Sequence, residues 1–199
     1  VIALGANTDP YQPVERQRGL TRELLEVFWE HRHPVMVITK SAGILRDLDI
    51  LTRLAEERLA TVRISLTTLE PALARALEPR APTPKVRLKT VRALAEAGVP
   101  VGVLTSPIIP ALNDGELEGL LEAASLAGAS TAAYALLRLP RDVAGLMDTW
   151  LQEHAPDKRQ RVLSLVSQCH GGKLYDARFG RRMPGQGAFA KLLRQRYTM

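Results

Sequence analysis

The sequence predicts an α/β fold built from repeated parallel β-α units, and three observations carry that prediction. Short apolar runs rich in β-branched residues recur about every 30 residues, the length of one β-α unit: Val1–Leu4, Val35–Ile38, Thr61–Leu66, Val99–Thr105 and Thr131–Leu137. Amphipathic stretches with helical spacing fill the gaps between them. The runs show little alternation of polar and apolar residues, as strands of a parallel sheet covered on both faces do. These units favour a full or partial barrel, with a doubly wound open sheet as the alternative.

Each element has a local reason. Val1–Leu4 reads as the buried half of a strand, and Gly5, Asn7, Asp9 and Pro10 form the turn that ends it. The chain starts inside this strand, so the strand is expected at a sheet edge. Within Gly19–His31, the residues Leu20, Leu24, Val27 and Phe28 make one apolar helical face. The second run leads into Thr39, Lys40 and Ser41, and the third carries Ser65 and leads into Thr67 and Thr68. In Lys85–Ala97 the apolar face is Val86, Val91, Leu94 and Ala95, with Arg87, Lys89 and Glu96 turned to water. "EAGVPVGV" marks a joint, where Gly98 ends the helix and Pro100 restarts the chain as a strand. The fourth run ends in Thr105, Ser106 and Pro107, with Asn113 and Asp114 beyond. The fifth carries Tyr134 and is followed by Arg138, between helical patterns at Glu116–Ala127 and Val143–His154. Strand signals fade after Leu137. Residues 1–137 are therefore expected to form the β/α part, and residues 138–199 a helical, basic extension packed on it.

Composition narrows the class. A chain of 199 residues, 46% apolar and 24% charged, suffices for a soluble domain with its own core. No apolar run approaches the roughly 20 residues that span a bilayer. The one cysteine, Cys169, excludes an internal disulfide framework and a multi-thiolate metal site, and points to the cytoplasm. The formal charge is +6, with 21 Arg against 6 Lys. Such an excess suits phosphate or carboxylate partners, and equally decorates solvated helix faces. His31, His33, His154 and His170 are scattered and form no cluster. Dinucleotide, Walker A, H-E-x-x-H and G-x-S-x-G signatures are absent.

Ligands of parallel β/α folds bind at the C-terminal ends of the strands. The residues delivered there are Asn7, Thr8 and Asp9, then Lys40, then Ser65 and Thr67, then Ser106, with Tyr134 and Arg138 last. This ring of hydroxyls, an amine, a carboxylate and a guanidinium suits a polar, zwitterionic small molecule. Lys40 can pair with a carboxylate, and Asp9 can take an ammonium or a ribose hydroxyl. The same residue types also cap helices, and both roles stay open. So does a barrel enzyme that binds a phosphorylated metabolite through Arg and helix N-termini.

The segments "GANTDPYQPVE", "TKS", "RDLDIL", "SLTTLEPALARALEPRAPTP", "LAEAGVPVGVLTSPIIPALND", "LLRLP" and "GGKLYDARFGRRMPGQG" resemble one group of radical S-adenosylmethionine (SAM) proteins. It is the DNA repair photolyase-like group, related to spore photoproduct lyase. The resemblance runs over nearly the whole chain and is most specific at Gly5–Glu15 and Ser65–Pro84. It implies a partial (β/α)6 TIM-like barrel. It also implies a [4Fe–4S] cluster on three cysteines of a C-x3-C-x2-C loop after the first strand. SAM chelates the fourth iron and yields a 5′-deoxyadenosyl radical. It further places Asn7, Thr8 and Asp9 near the methionyl amino group, with "NTDP" replacing the family's GGE-type turn. Lys40 is placed at the methionyl carboxylate, Ser65 near the ribose with Thr67 at the same strand end, and Ser106 beside the adenine.

This sequence departs from the family at the cluster, because the three-cysteine motif is missing and Cys169 lies far too late to replace it. The resemblance makes Val1–Leu4 the second strand of the barrel. The chain is then expected to be a fragment lacking the first strand and cluster loop, or a chain that has lost its cluster. Alone it is not expected to hold iron or perform radical chemistry. No catalytic residue is assigned. A cluster-less SAM- or nucleotide-binding module is the alternative to a lyase-like enzyme. Nucleic acid is raised as a partner by the family naming, the net charge and the basic residues Arg178, Arg181, Arg182, Lys191 and Arg194. It is opposed by an aromatic content of 5%.

Overall fold

The computed structural model describes residues 1–198. Five strands, β1 (Ile2–Leu4), β2 (Val35–Thr39), β3 (Ala60–Ser65), β4 (Val101–Ile108) and β5 (Thr131–Leu136), form one sheet in the order β1-β2-β3-β4-β5. The helices are α1 (Glu15–Arg18), α2 (Leu20–Glu30), α3 (Leu48–Glu56), α4 (Pro71–Leu77), α5 (Pro84–Glu96), α6 (Leu117–Leu126), α7 (Val143–His154), α8 (Pro156–Cys169) and α9 (Gly187–Thr198). β1 to β4 pair in parallel, with Ile2 opposite Val35, Val35 opposite Ala60, and Val62 opposite Val101. β5 follows in the same sense: Ser130 donates its N–H to the Val101 carbonyl and Leu137 to that of Ile108, the same offset of 29 residues. Sequential order is that of a singly wound barrel segment. A doubly wound sheet would reverse at a switch point and enclose the first strand. β1 instead lies at the edge, as the sequence predicts.

The chain divides into two compact units, Val1–Leu104 with Leu120–Ala133, and Thr105–Gly119 with the residues from Tyr134 onward. In the first unit one face of the sheet carries the core. Val35, Val37, Val62, Ile64, Val101 and Val103 meet Leu25 and Phe28 of α2, Leu51 and Leu54 of α3, and Val91 and Leu94 of α5. Pro84 opens α5, where a missing N–H costs nothing, and Gly98 (φ +77°) closes it.

Four expectations change. The strands are not buried on both faces: Met36, Ile38 and Arg63 on the face away from the helices are half-buried, and Thr61 is exposed. β1 is not buried either, because among the described residues no strand pairs its outer side; Val1 is 83% and Ile2 45% exposed. In α2 the buried stripe is Thr21, Leu25 and Phe28, whereas Leu20, Leu24 and Val27 are exposed. Thr21 goes inward because its polar atoms are satisfied there, its N–H by Glu15 Oε1 at 2.6 Å and its hydroxyl by the Pro10 carbonyl at 2.7 Å. In α5, Arg87 is buried and Val86 exposed, since all three guanidinium nitrogens of Arg87 find acceptors inside.

In the second unit, residues 138–198 supply α7, α8 and α9 and, among the described residues, no strand. Leu151, Val162, Val166, Cys169, Ala190 and Leu193 are buried between them. Arg159 of α8 makes a two-pronged contact with Asp148 of α7, both arms at 2.7 Å. No helix of the described residues is long and apolar enough to cross a membrane.

Candidate functional site

The turn after β1 is pressed against β2. Gly5 adopts φ +88°, and a Cβ there would lie 1.9 Å from the Ile38 carbonyl oxygen and 2.9 Å from Pro10 Cδ. Only glycine permits that approach. The turn then delivers Asn7 and Thr8 to the surface and Asp9 to the end of β2. Both oxygens of the Asp9 carboxylate are engaged within the chain. Oδ1 accepts from the Thr39 hydroxyl at 2.6 Å and the Tyr11 N–H at 2.9 Å, and Oδ2 accepts from the Lys40 N–H at 2.8 Å. Asp9 is thus a brace from the β1 turn to the end of β2.

Lys40 follows β2 directly, and its ammonium meets Glu78 Oε1 at 2.5 Å. Glu78, just past α4, also accepts from Arg87 Nη2 at 2.5 Å through its other oxygen. Arg87 in turn donates through Nη1 to the Ser65 carbonyl at 3.0 Å and through Nε to the Pro82 carbonyl at 2.8 Å. Lys40 and Ser65, the ends of neighbouring strands, are thereby joined through one carboxylate and one buried guanidinium. Burial pushes the Glu78 carboxyl up, but the hydrogen bond from Lys40 and the charges of Arg87 and Lys40 outweigh it and hold the group below the usual carboxylate range. The carboxylate is therefore ionised at neutral pH.

Other strand-end residues cap. The Ser41 hydroxyl accepts from the Gly43 N–H at 3.1 Å, Thr68 Oγ1 from the Glu70 N–H at 3.0 Å, and Glu70 from the Ala72 N–H at 3.2 Å, at the start of α4. Thr67 is buried beside them. Ser106 belongs to the second unit and is half-buried before Pro107. Also in that unit, Thr105 Oγ1 and the Tyr197 hydroxyl are 2.8 Å apart, Tyr134 and Tyr197 rings lie 4.6 Å apart, and Asn113 bonds the Ile109 N–H and the Pro107 carbonyl.

Three residues of the first unit escaped the sequence reading: Glu78, Arg87 and Arg63. Arg87 shares a helical stripe with Pro84, Val91 and Leu94, so periodicity marked it, but its charge argued for water. Arg63, the charge inside "TVRISL", sits on the face of β3 away from the helices, opposite Ile38 and Gly102. Its Nη1 is buried and, among the described residues, has no acceptor.

The residues present do not fit an iron–sulfur cluster. Cys169 is 1% exposed, and burial pushes its thiol up, away from the thiolate a metal needs. Among the described residues, no group of three or more His, Cys, Asp or Glu is placed to hold a metal ion. In the basic tail, Arg178 is neutralised by Asp176 at 2.6 Å, and the Arg182 guanidinium lies 5.8 Å from the ring of Phe179, which is 92% exposed.

The Radical SAM superfamily profile matches residues 1–124, the stretch from β1 into α6. The chain is 32% identical over 166 residues to uncharacterized protein Rv2578c of Mycobacterium tuberculosis, a match covering 82% of this chain and 49% of that protein. It is 33% identical over 110 residues to uncharacterized protein ORF301 of Acidianus two-tailed virus, covering 55% of this chain and 35% of the other. It is 30% identical over 115 residues to uncharacterized protein MJ0683 of Methanocaldococcus jannaschii, covering 58% and 43%. The chain spans about half the length, or less, of these relatives. A five-stranded parallel sheet in sequential order, polar residues gathered at its strand ends, and a profile match over most of the chain give one conclusion: the chain belongs to the radical SAM superfamily.

Proposed function

We propose that this chain is the SAM-holding part of a radical SAM enzyme of the DNA repair photolyase-like group. The observation that carries the reading is the Lys40–Glu78–Arg87–Ser65 network, which fixes an ammonium at the end of β2 beside the polar end of β3. Lys40 takes the methionyl carboxylate, Asn7 and Thr8 the amino end on the frame braced by Asp9, and Ser65 and Thr67 the ribose. An ammonium has three N–H donors, so Glu78 leaves Lys40 capacity for a ligand carboxylate. The superfamily implies SAM and usually a [4Fe–4S] cluster, which this chain's one cysteine does not fit. The contribution of these residues is binding and orientation.

Calorimetric titration of SAM into the chain tests this. A charge-assisted bond contributes about 1.5–3 kcal/mol, roughly 10- to 150-fold in affinity. The Lys40 side chain is 40% exposed, so the lower end, about 10-fold, is expected for Lys40→Met. Lys89→Ala, on the exposed face of α5, should leave affinity unchanged. Equal affinity of Lys40→Met and the parent chain would remove Lys40 from the site.

A nucleic-acid substrate is the second reading, favoured by the exposed Phe179 ring with Arg181 and Arg182 beside it. Stacking of one base on an aromatic ring contributes about 1–3 kcal/mol. Phe179→Ala is therefore expected to weaken single-stranded oligonucleotide binding at least about fivefold in fluorescence anisotropy. An unchanged dissociation constant would count against nucleic acid.

A further inference from the structure

The inner face of the registered strands β1 to β4, the one opposite the helices, is built from Ala3, Met36, Ile38, Thr61, Gly102 and Leu104, together with Arg63 and Ser65. Arg63 is the one charged side chain on it. Its neighbours across the register, Ile38 and Gly102, bring no charge and no side-chain acceptor. Among the described residues no carboxylate, hydroxyl or carbonyl accepts from its Nη1, and Nη1 is withdrawn from water as well. Arg87, the buried arginine of this unit, shows the contrast, with acceptors for each of its nitrogens. A guanidinium cannot shed its charge at neutral pH, so a buried donor of this kind calls for an anion.

We propose that Arg63 recognises a carboxylate of the molecule on which the enzyme acts. The assignment to a second molecule rests on the proposed placement of SAM at Lys40; the carboxylate chemistry itself does not. A carboxylate matches the fork of one guanidinium in shape and in unit charge. A phosphate monoester carries about −1.5 to −2 at neutral pH and would need a second cation, which the registered residues of this face do not supply. Arg63 lies two residues before Ser65, which is level with Lys40 just beyond the register of β2 and β3. At about 3.3 Å per residue its Cα is roughly 7 Å deeper along the sheet, a separate level from the strand ends.

The arginine Nε–Hε resonances of the isotope-labelled chain provide the test, with the Arg63 signal assigned by its loss in Arg63→Lys. Sodium acetate should shift that signal saturably beyond sodium chloride of equal ionic strength, and inorganic phosphate should do so less. The acetate shift should persist at saturating SAM. No shift beyond chloride would overturn the proposal, and a stronger response to phosphate would overturn the carboxylate class. Loss of the acetate shift on adding SAM would give Arg63 to SAM's own carboxylate and overturn the second molecule. An acetate shift in a chain that calorimetry shows not to bind SAM would instead sink the proposed function and leave the carboxylate site standing.

Discussion

Arg87→Met is expected to destabilise the first unit by about 3–5 kcal/mol, the cost of breaking a buried ion pair from one side. Arg87 is 2% exposed, and its loss strands two carbonyls and removes one of the two cations on Glu78. Urea denaturation at pH 7 should show a lower midpoint, with Lys89→Met within about 0.5 kcal/mol of the parent chain. The pH dependence carries a definite sign. The Glu78 carboxyl titrates lower in the folded chain than its ordinary value, so its contribution is full above the unfolded carboxylate range and is lost as pH falls through the folded value. The gap between parent and variant should therefore be widest at neutral pH and shrink below about pH 4, near the reference value for Glu. A gap under about 1 kcal/mol at pH 7, or one that does not change on acidification, would mean that Arg87 acts only by filling space.

Gly5→Ala is expected to cost about 3 kcal/mol or more. Two effects add: an alanine at a positive φ costs about 1–2 kcal/mol, and its Cβ would stand 1.9 Å from the Ile38 carbonyl oxygen. That oxygen is part of a paired strand and has little freedom to give way, so the end of β1 has to lift off β2. The Lys40 N–H, which Asp9 accepts at 2.8 Å, should then exchange with solvent much faster. Gly19→Ala separates the two effects, since Gly19 has φ +67° but no atom within 4 Å of a Cβ. It should cost only the backbone term. Equal losses for the two variants would show that the β1 turn is free to relax away from β2.

The strands were legible because a parallel sheet is written in β-branched runs: Val35–Ile38 became β2 (Val35–Thr39), and Thr61–Leu66 became β3 (Ala60–Ser65). Topology then placed Lys40 and Ser65 at strand ends without knowledge of any contact. The face of α2 was not legible, because Leu20, Leu24 and Val27 form as good an apolar stripe as the buried one, and Thr21 goes inward only through partners at Pro10 and Glu15. Glu78 stayed invisible for a related reason. Its importance comes from Lys40 and Arg87 on two other elements, and no local pattern marks a residue whose partners are set by tertiary folding. Its position after β1 marks Asp9 as a ligand contact, and its hydrogen bonds to Thr39, Lys40 and Tyr11, which no local pattern announces, add a role inside the fold.

The double tether of Lys40, its backbone N–H on Asp9 and its ammonium on Glu78, bears on how tightly the end of β2 can bind anything. A lysine side chain gives up roughly 1.5–2 kcal/mol of rotamer freedom when it is immobilised. Here much of that freedom is already gone once the chain has folded, before a ligand arrives. An incoming anion meets an ammonium whose position is set, and its binding free energy is correspondingly less eroded by ordering. The end of β2 is in this sense stiff by construction, and discrimination there falls to the shape and charge of the ligand.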